Sequence, residues 1–418
     1  MGTAKEVYVS GCSAEIPDLP DLLGEGLQGA TVTGILSPLL NERSYASAKA
    51  NRRCRTFFLN KEVKEHLTAG IVDLCPWTYT QMARWFRSAI TFDAAVVMVS
   101  PPNELGQVSL GVQADFLPLF RERVGKLIGV VNPNMPWTAG ATAVPLDAFS
   151  DLFALDRPIA ALPAAGASLN EAILRIAASI SELIPDGATM QLGIGKIPQG
   201  VARMLGGHRD LAIVSGLIDD DILSIEDQNV LDKSKPIVTG VAMGSADLYA
   251  RLHKNPRFSF QPASETHNVE KLIGIERFHS INAALQVDLL GQINSEMVNG
   301  RLISVPGGFP DFIRGASLNP TGRAIVALQA RPNRNAAPGI VPRFSTPAAV
   351  TATKTVVDIV VTEFGVAQLR NLSLDQRAEA LIGIATPEDR DQLQAEWTAF
   401  RSRAFGSSER RVVQNTAG

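Results

Sequence analysis

Three segments of this 418-residue sequence combine residue types that do chemistry with places where a chain can use them. The first is Gly193-Ile194-Gly195-Lys196-Ile197-Pro198, which follows an apolar run and opens a helical one. Glycines at such a turn let backbone amides approach an anion, and a helix start adds a favourable dipole. Pro198 stands where the dinucleotide fingerprint GxGxxG has its third glycine, so the turn reads poorly as a nicotinamide-cofactor site. A tight turn without a ligand stays open. The second segment runs from Asn294-Ser295-Glu296 to Ser304-Val305-Pro306-Gly307-Gly308-Phe309-Pro310-Asp311-Phe312. The amides of Gly307 and Gly308 suit a developing oxyanion, and Glu296 is a nucleophile, a base or an ion-paired surface carboxylate. The third, Val99-Ser100-Pro101-Pro102-Asn103-Glu104-Leu105-Gly106, leaves an apolar run where α/β proteins carry ligand loops. A proline-rich turn with no role is its plain alternative.

The elements that must position these loops follow from the hydrophobic pattern. Continuous apolar runs such as Val7–Ser10, Ala95–Val99, Leu127–Val131, Leu211–Val214 and Val356–Val361 have the pattern of strands buried on both faces. Between them lie helical stretches, Thr80–Arg87 and Leu169–Leu183, the latter with Ile173, Ile176, Ile180 and Leu183 on one face. Alternation of this kind predicts an α/β fold with mostly parallel sheets. The length favours two or three domains. The small, uncharged, proline-containing stretch 158–168 reads as a connector, with a new strand at Thr189–Leu192. The expected division is 1–165, 166–405 and a polar tail, 406–418.

Composition excludes several classes. Lys plus Arg is 39 and Asp plus Glu is 42, a formal charge of −3, which argues against nucleic acid as a partner. No run approaches the ~20 apolar residues of a membrane span. The N-terminus reads as neither a signal peptide nor, with Glu6 at the critical position, a myristoylation site. Cys12, Cys54 and Cys75 are too scattered for a disulfide framework or zinc, and His66, His208, His253, His267 and His279 show no ligand spacing. The expectation is a cytoplasmic protein with no metal and no permanently bound cofactor.

Several stretches carry a family resemblance: VSGCSAEIP, RTFFLNKEVKEHLTAGIVDLCPW, DAAVVMVSPPNELGQVSLGV, VNPNMPWTAG, MQLGIGKIPQGVARMLGGHRDL, SINAALQVDLLGQINSE, GGFPDFIRGA and VVTEFGVAQLRNLS. Together they resemble the acetyl-CoA hydrolase/transferase family, which includes 4-hydroxybutyrate CoA-transferases. The GIGxIP and GGxxDF segments are the specific ones. The resemblance implies two similar doubly wound α/β domains of the CoA-transferase type, a CoA thioester bound between them, and a homodimer or larger assembly. CoA is then a substrate moiety, expected at Gly193, Ile194, Gly195, Lys196 and Ile197, at Ser304 and Gly308, and at Asn333.

The departures from the family pattern bear most on chemistry. Family members use a glutamate nucleophile that passes through a mixed anhydride to a glutamyl-CoA thioester. It sits in a stretch reading like G-I-H-S-E-M-F-S-D-G. Here that stretch is Ala212-Ile213-Val214-Ser215-Gly216-Leu217-Ile218-Asp219-Asp220-Asp221, with His208–Leu211 and Asp220 holding the register. The resemblance therefore puts Gly216 at the nucleophile position, and glycine forms no anhydride. The lysine about 25 residues beyond the family's glycine pair becomes Asn333, with Arg331 and Arg334 nearby; an arginine and a histidine become Trp137 and Ala139. Three accounts follow. One is hydrolysis at a CoA ester, either of the thioester or of a bond in the acyl chain, with Glu296, Asp219 and its neighbours, Ser215 or Glu104 as candidate groups. The others are a CoA-transferase with a different nucleophile, and a CoA-binding or partner subunit without catalysis.

Overall fold

The computed structural model describes residues 5–17, 19–163, 168–333, 336–345 and 347–405. Seven parallel strands form a first sheet: β1 (Glu6–Val9), β2 (Thr31–Gly34), β3 (Arg53–Thr56), β4 (Val72–Leu74), β5 (Ala94–Val99), β6 (Lys126–Val131) and β7 (Asp151–Ala154), in the order β7-β6-β5-β1-β2-β3-β4. A second sheet contains β8 (Thr189–Leu192), β9 (Ala212–Ile213), β10 (Phe278–Ala283), β11 (Arg323–Ala327), β12 (Ile359–Thr362) and β13 (Gly365–Gln368). Its order is β9-β8-β10-β11-β12-β13, parallel except for the hairpin strand β13. The α/β class with mostly parallel sheets is as the apolar runs implied.

Burial explains the strands. All six residues of β5 are buried, as a both-faces-covered strand requires. The helix Glu171–Glu182 starts at Asn170, whose side chain accepts the Ile173 amide, and it buries Ile173, Ile176 and Ile180. The helix Tyr79–Ser88 opens with a reciprocal capping box between Thr78 and Gln81.

Among the described residues, no strand is common to the two large sheets, but the halves are knit together. Ala139–Gly140 pairs with Phe258–Phe260 in a small third sheet. The Trp137 amide donates to His253 Nδ1 at 3.2 Å, so Trp137 and Ala139 belong to this junction. One hydrophobic core runs through both halves, from Val7 and Val96 to Ile176 and Ile325. The expected boundary at residue 165, Arg334, the first four residues with the myristoylation reading, and the tail 406–418 lie outside the described residues.

Candidate active site

Both large sheets turn the carboxyl ends of their central strands toward one cavity of about 450 Å³. Cys12 follows β1, Ser37 and Leu39 follow β2, and Phe58 follows β3; from the other side come Gly193 after β8, Gly216 after β9 and Asn282 at the end of β10. Strand order reverses on either side of β8, and ligands of open α/β sheets sit at such points. Beneath the turn, Gln191, Ser280 and Asn282 form a buried network: Gln191 Oε1 accepts from Ser280 Oγ at 2.7 Å and from Asn282 Nδ2 at 2.9 Å. The Gly193 amide donates to Ile281 O at 2.9 Å, which fixes the start of the turn.

Gly195 has φ +122°, a conformation that favours glycine, and a Cβ there would meet nothing within 4 Å. It precedes the helix Lys196–Arg203, whose start has no side-chain cap. Gly193, Ile194 and Gly195 line the cavity; Lys196 is exposed beyond them and Ile197 is buried behind.

On the opposite wall, Ser304 through Gly308 lead into the helix Phe309–Leu318 and all line the cavity. Gly307 has φ +56°. Among the described residues, the amides of Gly307 and Gly308 make no backbone hydrogen bond, so they are available to a ligand.

Gly216 and Gly308 share a neighbour that sequence reasoning missed. A Cβ on Gly216 would lie 2.5 Å from both Cε1 and Nε2 of His267, and a Cβ on Gly308 would lie 2.5 Å from Nε2. Both glycines are thus required for the imidazole to sit there. The ring stacks on Tyr79, with centroids 4.1 Å apart and planes 16° apart, and it packs against Phe312 at 4.5 Å. Its Nδ1 shares a 2.9 Å hydrogen bond with Thr266 Oγ1, and its backbone carbonyl accepts from Thr80 Oγ1 at 3.0 Å. The opposite edge of the ring, Cε1 and Nε2, packs against Gly216 and Gly308, and His267 is among the residues lining the cavity. Burial drives the pKa down to about 3, so the ring is neutral. In sequence, His267 lies in the polar run Ser264-Glu265-Thr266-His267-Asn268, which reads as surface. The one available signal is indirect: two glycines facing one cavity leave room for a large side chain from elsewhere.

The carboxylate candidates stand apart from the cavity. Glu296 is buried, and its Oε1 accepts from Thr351 Oγ1 at 2.7 Å while its backbone carbonyl takes the amides of Ile303 and Ser304. Burial raises its pKa, the Thr351 hydrogen bond opposing. Ser295 lines the cavity and Glu296 does not, a geometry that braces the glycine loop. Asp219 and Asp221 line a separate space of about 20 Å³ that shares Gly193 and Ser215 with the large one. Burial pushes both carboxyls up, helped by the Asp220 charge at Asp219 and by the Asp219 charge at Asp221. Asp220 accepts from the amide and hydroxyl of Ser245, the residue that caps the helix Ala246–Leu252. Ser215 lines the cavity, with Oγ donating to Leu192 O at 3.2 Å. Glu104 and Asn333 are exposed, and neither is among the residues lining the cavity. Arg331 is engaged by Asp389 through two contacts of 2.7 and 2.8 Å.

Comparison with known proteins bears on this arrangement. The N-terminal domain profile of the acetyl-CoA hydrolase/transferase family matches residues 24–154, and the C-terminal domain profile matches 244–397. 4-Hydroxybutyrate coenzyme A transferase of Clostridium kluyveri is 33% identical over 352 residues, 82% of each chain. An acetyl-CoA hydrolase of Yarrowia lipolytica is 28% identical over 88% of this chain and 76% of its own. The crystal structure of RipA from Yersinia pestis superposes with a TM-score of 0.85 at 25% identity, covering 96% of this chain and 95% of that one. Among the described residues, no helix is long and apolar enough to cross a membrane.

Proposed function

Because the chain belongs to the acetyl-CoA hydrolase/transferase family, we propose that it is an acyl-CoA-processing enzyme whose reaction is hydrolysis of a CoA ester in the cavity between the two sheets, without a glutamyl-CoA intermediate at position 216. In this reading Gly216 stands where the family's nucleophilic glutamate would be. The single observation that supports it best is the His267 ring, whose edge fills the space into which a side chain on residue 216 would grow. The missing carboxylate is matched by a rebuilt wall rather than by an empty pocket.

The residues divide the task by position. The Gly193–Gly195 turn and exposed Lys196 receive the CoA moiety, where uncapped amides and a cation favour its phosphates. The thioester carbonyl oxygen meets the amides of Gly307 and Gly308, which stabilise negative charge as it develops. His267, with Nε2 turned toward Gly216 and Gly308, forms the wall beside the attacking water. Water adds to the thioester carbon and the C–S bond breaks. The proton that water gives up ends on the departing CoA sulfur, leaving a carboxylic acid and free CoA. Glu296 holds Ser304 and Thr351 in place and acts on the reaction only through the loop.

We place this activity in the cytoplasm and in a homodimer or larger assembly, with residues 1–165 and 166–405 as its two units. The free thiols of Cys12, Cys54 and Cys75 suit a reducing compartment. The test is release of CoA thiol from acyl-CoA in buffer free of carboxylate acceptors. Steady multiple turnover supports hydrolysis. Release that appears only after a carboxylate is added would make the enzyme a transferase and refute the reading.

A further inference from the structure

Among the described residues, no Asp, Glu, Lys or Arg side chain lines the cavity. Its three ionisable side chains are each held in the neutral form. Burial pushes the Cys12 thiol and the Tyr79 hydroxyl well up and takes His267 down to about 3. The remaining polar lining, Ser37, Gln191, Ser215, Asn282, Ser295 and Ser304, is neutral at any pH. Apolar surface comes from Leu39, Phe58, Leu217, Met243, Phe309 and Phe312. Cations that stand nearby in sequence are either outside the lining, like Lys196, or already paired, like Arg331 with Asp389.

This absence has a direct consequence for the acyl group. An acyl chain ending in a carboxylate would bring a full negative charge into a space whose described walls offer no opposite charge to pair it. Desolvating an unpaired carboxylate is strongly unfavourable, whereas an alkyl chain gains from the same burial. An amide or hydroxyl falls between the two, because the neutral polar side chains can hydrogen-bond it.

We propose that the acyl group accepted here is uncharged and largely apolar, a monocarboxylic acyl chain such as butyryl, and that acyl groups bearing a second carboxylate are rejected. This rests on the reading of the cavity as an acyl-CoA site and names the substrate class for it.

The test uses thioether analogues that cannot turn over, with the purified full chain and calorimetry at pH 7.5. The probes are S-butyl-CoA, S-(3-carboxypropyl)-CoA and the uncharged S-(3-carbamoylpropyl)-CoA. The expected result is that the carboxypropyl compound binds at least about 100-fold more weakly than the butyl compound, equivalent to about 2.7 kcal/mol. The carbamoyl compound should lose less than about 10-fold. Equal affinity for the butyl and carboxypropyl compounds overturns the assignment. So does an equal loss with the carbamoyl compound, which would make size or polarity, not charge, the cause. Binding of none of the three also overturns it. Thiol release from butyryl-CoA is read separately. A protein with the binding preference and no ester hydrolysis loses the hydrolase reading and keeps the acyl assignment. One that hydrolyses butyryl-CoA and succinyl-CoA with equal kcat/KM does the reverse.

Discussion

The imidazole of His267 lies where a side chain on residue 216 would have to begin, 2.5 Å from the Cβ that Gly216 lacks. A side chain on residue 216 and the imidazole cannot both occupy this space. The ring is pinned by Tyr79 on one face, Phe312 against it and Thr266 at Nδ1, so it cannot swing aside cheaply.

Any side chain at 216 therefore overpacks the site. Gly216→Ala should destabilise the protein by about 1–3 kcal/mol, the usual range for inserting bulk into a packed core. Gly216→Glu should also fold less stably and should not gain thioester exchange. The double variant Gly216→Glu/His267→Gly removes the clash, so its stability should exceed the sum of the single effects. Urea denaturation of the four proteins measures this, and additive effects would mean that the two side chains do not compete for one space.

Acid should act through His267. Its pKa falls from about 6.5 in the unfolded chain to about 3 in the fold. Between those values the unfolded chain binds the proton and the folded one does not. The stability contribution is whole above pH 6.5 and is lost as pH falls toward 3, by up to about 1.4 kcal/mol per pH unit. His267→Asn should flatten that part of the stability profile. A variant with the wild-type slope between pH 6 and 4 would show that the ring is not held neutral.

Asp115 slopes the other way. It is buried with neither oxygen in a hydrogen bond of good geometry, and burial lifts its pKa to about 8, with Gln113 opposing. The folded chain keeps the proton from about 3.8 to about 8 while the unfolded chain loses it. The contribution present at low pH is therefore lost as pH rises across that window. The melting temperature of Asp115→Asn, relative to wild type, should rise steadily from pH 5 to pH 8. A constant difference would contradict the assignment.

Much of the scaffold could be read from residue types alone. The run Ala94–Val99 is an uninterrupted buried strand, and Ile173, Ile176 and Ile180 mark a helix face. Strand β3 could not be read, because Arg53 and Arg55 look like surface. Their charges are met across the sheet by Asp73 and Glu6 at 2.7 Å, and Arg55 also lies over the Trp85 ring. The glycine loops on the two cavity walls were legible, since turn chemistry is local. His267 was not. It sits at the junction of two short helices, Ala263–Thr266 and Val269–Gly274, and only tertiary packing brings it to Gly216 and Gly308.

The helix-start turn should hold CoA through its backbone amides and dipole, with the Lys196 cation beside them. Gly195→Asp puts a like charge at the amides that face the ligand and strains a φ of +122°. CoA affinity should fall by at least about 10-fold while circular dichroism stays that of the wild type. Unchanged affinity in a folded variant would move the phosphates elsewhere.

The central claim is that the reaction proceeds without CoA bonded to the chain. Intact-mass spectrometry of the protein, quenched in acid during turnover of butyryl-CoA, tests it most directly. The account predicts accumulating butyrate and free CoA, with the protein at its unmodified mass at every time point. A species heavier by one CoA less water, removed by borohydride and mapped to a carboxylate, would contradict it.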